Sequence, residues 1–87
     1  MSYEAEVAKE YLRDAFQSGA LDITGSYEMV RGFVQIFAGE MDALMAISHC
    51  NFLEPAQIDE LMRIARPNPD SVRHYQAWLA KIDEQRR

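Results

Sequence analysis

Residues 29–47 form the longest apolar stretch of this chain, and a carboxylate stands inside it. With Ser26 as cap, the pattern predicts one long helix over 27–50, spanning roughly 36 Å at 1.5 Å per residue. Tyr27, Met29, Val30, Phe33, Val34, Ile36, Phe37, Met41, Leu44, Met45 and Ile47 then cover about half the circumference. Glu28, Arg31, Gln35, Asp42 and His49 fall in a narrow polar stripe, with Gly32, Gly39 and Ala46 beside or within it. Glu40 instead lies among Met29, Phe33, Ile36, Leu44 and Ile47. A buried carboxylate must find a cation, take a proton or be released by a bend. Gly39 can supply the bend, Arg13, Arg66 or Arg73 the cation, and a catalytic acid is the third reading of Glu40.

The remaining helices carry local start and stop signals. Ser2 can cap a helix over 3–18, with Ala8, Leu12, Ala15 and Phe16 at helical spacing and Gly19 as its stop. Glu54 before Pro55, with Gln57 three positions on, opens a helix over 55–66, and Pro67 ends it. Asn68 before Pro69 opens another over 69–84, in which Val72, Tyr75, Trp78, Leu79 and Ile82 follow at the helical period. The expectation is an all-α, compact four-helix domain with a long central apolar second helix, the whole of 1–87 forming a single domain.

Eighty-seven residues suit one small domain, and 48% hydrophobic against 26% charged residues is too apolar for a disordered chain. Arg31, Gln35, Glu40 and Asp42 make 29–47 too polar to cross a bilayer. The first twenty residues are charged and amphipathic, so a cytoplasmic location is expected. One cysteine and two histidines leave no disulfide framework and few ligands for a transition metal, and metal-ligand spacings and glycine-rich phosphate loops are absent. Adjacent His49 and Cys50 point about 100° apart on a helix and form no nucleophilic dyad. No catalytic residue, cofactor or metal is assigned, and the chain is read as not being an enzyme.

Charge is unevenly distributed. Residues 1–62 carry three cations (Lys9, Arg13, Arg31) against eleven acids, a balance of −8, while 63–87 carry six cations against three acids, a balance of +3. Glu6, Glu10 and Asp14 make an acidic row on the first helix, partly neutralised by Lys9 and Arg13. Arg66, Arg73 and Lys81 form a basic face near the other end of the chain.

The apolar excess of 27–50 points to contact with another protein, or to a homodimer through that helix. The expected function is that of an acidic helical interaction module or regulator that occludes a partner protein, with Glu6, Glu10, Asp14, Phe37, Glu40, Met41 and Met45 as contact residues. A second reading rests on charge: an acidic inhibitor that competes for the basic groove of a nucleic-acid-binding protein. Small inhibitors of phages and mobile elements, anti-CRISPR and anti-restriction proteins among them, share that size and charge. A third is a helix-turn-helix regulator built on the last two helices, although a net charge of −5 argues against direct nucleic-acid binding.

Overall fold

The computed structural model describes residues 3–85, and Ser2, Arg86 and Arg87 lie outside them. Five helices follow one another among the described residues: α1 (Tyr3–Gln17), α2 (Tyr27–Ile36), α3 (Met41–His49), α4 (Pro55–Ala65) and α5 (Pro69–Gln85), with no strand. The fold is all-helical and compact, but it has five helices where four were expected, and no long central helix.

The correction lies at residues 37–40. Gly39 takes a left-handed conformation at φ +85°, which ends the helical path. Its amide donates to the Ala65 carbonyl (2.7 Å), and its carbonyl accepts from the Asn68 side-chain amide (3.0 Å). The break is therefore held from the α4–α5 connection. Glu40, extended at φ −115°, becomes the residue before α3 and its side chain is released from the apolar face. The two halves now pack on each other, and both contact α4.

This folding back buries the apolar surface that looked excessive in the sequence. Val30, Phe33, Val34 and Phe37 from one half and Ala43, Met45, Ala46 and Ile47 from the other join Phe16, Ile23, Leu61 and Ala65 in one core. Six consecutive residues of α3, Asp42 to Ile47, are buried, because α2, α4 and α5 all pack against this short helix. The surface that argued for a homodimer through 27–50 is thus largely covered within a single chain.

Local capping fixes the remaining boundaries close to their expected places. Ser26 accepts from the Met29 amide (3.2 Å) at the start of α2, and Gln57 accepts from the Glu54 amide (2.9 Å) at the start of α4. At α5, Asn68 and Ser71 cap each other reciprocally, each side chain accepting from the other's amide at 2.9 Å. Asn68 thus starts α5 and clamps the α2–α3 break with one side chain. Among the described residues no helix is long and apolar enough to cross a membrane.

Candidate functional site

Helix α1 has an unusual division of its faces. Phe16 enters the core and Leu12 packs against it, as the apolar spacing requires. Beside them on the inward side lie both cations of the helix. Lys9 and Arg13 each pair with Glu40, and Arg13 Nε also donates to Asp42 at 3.1 Å. Gln17 donates to the other Asp42 oxygen at 3.0 Å, so a carboxylate only 3% exposed has donors on both oxygens. The charged ends of Lys9 and Arg13 lie 5.6 and 5.4 Å from the centre of the buried Phe37 ring.

Burial alone would lower the Arg13 pKa. The Asp42 carboxylate, through its charge and hydrogen bond, and then Glu40 more than reverse this and hold the guanidinium above its ordinary value. Arg13 is therefore a fixed positive charge joining α1 to the start of α3. Of the cations proposed for Glu40, the structure supplies Arg13 and not Arg66 or Arg73, and it adds Lys9. Both the bend and the pairing considered for Glu40 are present.

With the cations turned inward, the opposite face carries aromatic and acidic groups. Tyr3, Val7 and Tyr11, four residues apart, share that side, and the two tyrosines are 83% and 74% exposed. Together with Ala8 and Leu12 they border an open, almost wholly apolar hollow. Glu4, Glu6, Glu10 and Asp14 are exposed and have no ion pair among the described residues. The neutralisation expected from Lys9 and Arg13 is reduced, because these two cations pair with Glu40 and Asp42, although the charge of Arg13 still acts on Glu10.

The other contact residues separate. Phe37 and Met45 are core residues, Met41 is half-buried against the core, and Glu40 is engaged by Lys9 and Arg13. Arg73 pairs with Asp70 within α5, whereas Arg66 borders a polar concavity with Arg31 and Arg63 that contains neither Arg73 nor Lys81. The sequence reading missed the Tyr3–Val7–Tyr11 ridge. Its signal was the i, i+4, i+8 spacing of large residues on the side away from Leu12 and Phe16.

A groove of about 790 Å³ lies where the end of α1 meets α3 and α5, with Phe16, Met45, Trp78 and Ile82 in its walls. Tyr75 and Trp78 stack at 6.0 Å, and His49 meets the Phe16 ring edge-on at 5.7 Å. Cys50, next in sequence to His49, is buried; burial and then the Asp22 carboxylate push its thiol pKa up, away from the thiolate a nucleophile needs. Among the described residues no group of three histidine, cysteine or acidic side chains is placed to hold a metal ion. No protein-family model, curated protein or solved structure matches the chain.

Proposed function

We propose that the protein is a helical interaction module that binds and occludes a partner protein through the outward face of α1. The observation that carries this reading is the division of that helix: its cations are held by Glu40 and Asp42, leaving Tyr3, Val7 and Tyr11 exposed beside unpaired acids. Exposed tyrosines supply large contact area at low entropic cost, and an acidic surround selects a partner of opposite charge. The same charges disfavour self-association through this face, since a second copy brings its own acidic row against the first. The occupant is a protein whose apolar pocket has a basic rim. The groove of a nucleic-acid-binding protein has that chemistry, so an inhibitor of such a protein is the specific form this reading favours.

A photo-crosslinking residue at position 11, expressed in the source cell, tests the proposal against the same residue at Gln76 on exposed α5. The expected result is one protein adduct from position 11, resistant to nuclease, absent from position 76 and weaker between about 50 and 200 mM salt. Equal adducts from both positions, or none, would overturn it.

A further inference from the structure

We propose a second site, independent of α1: a binding site for the phosphate group of a small molecule in the concavity between α2 and α4. The hollow, about 540 Å³, is lined by Arg31, Gln35, Ala38, Glu60, Arg63 and Arg66. Arg31 Nε donates to Glu60 at 2.9 Å, tying α2 to α4 across it. Three arginines and one glutamate among the lining residues leave two positive charges, which match a phosphate dianion better than a single carboxylate.

Charge elsewhere makes this concentration significant. Lys9, Arg13, Arg31 and Arg73 are in ion pairs, so Arg63, Arg66 and Lys81 are the described cations without one. Two of those three line this hollow. A helix carboxyl end welcomes a cation, which accounts for Arg63 in the last turn of α4. Arg66, the cap of the same helix, shares that field but in addition adopts the left-handed conformation at φ 47°, ψ 56°. Glycine is the usual occupant of such a position, and an arginine bears backbone strain there. A strained arginine that lines a cationic hollow points to a role for the side chain. The net charge of −5 opposes a long polyanion, so the occupant is a compact phosphate rather than a nucleic-acid strand.

The test is a titration of the full chain with inorganic phosphate at constant ionic strength, following arginine Nε–H signals by NMR. The expected result is saturable shifts at Arg31, Arg63 and Arg66 and none at Arg73, with acetate at least tenfold weaker. Arg63→Gln should weaken phosphate binding at least tenfold. Arg66→Gly should do the same while raising the melting temperature, since it removes the strain together with the ligand contact. Linear, unsaturated shifts, equal shifts at Arg73, or binding unchanged in both variants would overturn the site. A short DNA duplex that displaces phosphate at lower concentration than a nucleoside monophosphate would overturn the small-molecule assignment.

Discussion

Helix α1 and the segment 27–50 both contain side chains on the wrong face for a simple amphipathic helix, and the fold treats them differently. In 27–50 the misfit is Glu40, and the chain resolves it internally: the helix breaks at Gly39 and the carboxylate meets Lys9 and Arg13. In α1 the misfits are Tyr3, Val7 and Tyr11, and the described residues leave them exposed. A conflict settled by internal partners accounts for its residues through stability. One left open on the surface is not explained by stability, and the proposed partner would explain it.

The sharpest way to break this contrast is to remove the internal partner. Arg13→Met should lower stability by about 2–3 kcal/mol, because Asp42 stays buried without its cation while Arg13 itself is partly exposed. Thermal unfolding should then begin roughly 10–20 °C lower. An unchanged melting curve would mean that the α1–α3 contact is not what holds Asp42 in place.

Glycines 39 and 32 offer a second test within one segment, with opposite signs. A Cβ at Gly39 would meet only the Asn68 amide nitrogen, at 3.9 Å, so space is not the obstacle; φ +85° is. Gly39→Ala should cost about 1–2 kcal/mol in urea unfolding. Gly32 is inside α2 with nothing within 4 Å of an added Cβ, and Gly32→Ala should stabilise by about 0.5–1 kcal/mol. Had 27–50 been one continuous helix, both changes would have stabilised it.

That pair also shows what could be read from the sequence and what could not. The starts of α2, α4 and α5 were legible because Ser26, Glu54-Pro55 and Asn68-Pro69 act within a few residues of themselves. The break at 37–40 depends on the Ala65 carbonyl and the Asn68 side chain, more than twenty-five positions along the chain. Asp42 looked like a solvent-facing residue for the same reason: its partner Arg13 is 29 positions earlier. The acidic row of α1 was visible as Glu6, Glu10 and Asp14, but its weakened compensation was not. That depended on where Lys9 and Arg13 turned, and hence on Glu40 and Asp42.

Cys50, at the end of the same segment, gives a smaller and pH-confined effect. Burial and then Asp22 raise its folded pKa above the unfolded value. The thiol's contribution to stability is therefore complete below about pH 8.5, the ordinary thiol value, and is lost as pH rises through the folded pKa. Cys50→Ala should flatten the alkaline end of the stability profile. A thiol reagent at pH 8 should label the native protein much more slowly than the urea-unfolded chain. Equal labelling rates would show that this end of α3 is open.

The smallest expected effect on stability belongs to the residues given the largest role in binding. Tyr3→Ser with Tyr11→Ser removes two aromatic rings from a helix face that contributes little to the core, and the unfolding free energy should change by no more than about 0.5 kcal/mol. The same double substitution should abolish partner capture, read with the crosslinker moved to position 7. A large loss of stability would show that the tyrosines are held by the chain itself, and α1 would then resemble segment 27–50. Unchanged stability with unchanged capture would separate the exposed ridge from the interface. Only the combination of an indifferent fold and a lost complex fits a surface built for another molecule, because internal packing cannot lose two aromatic rings without cost.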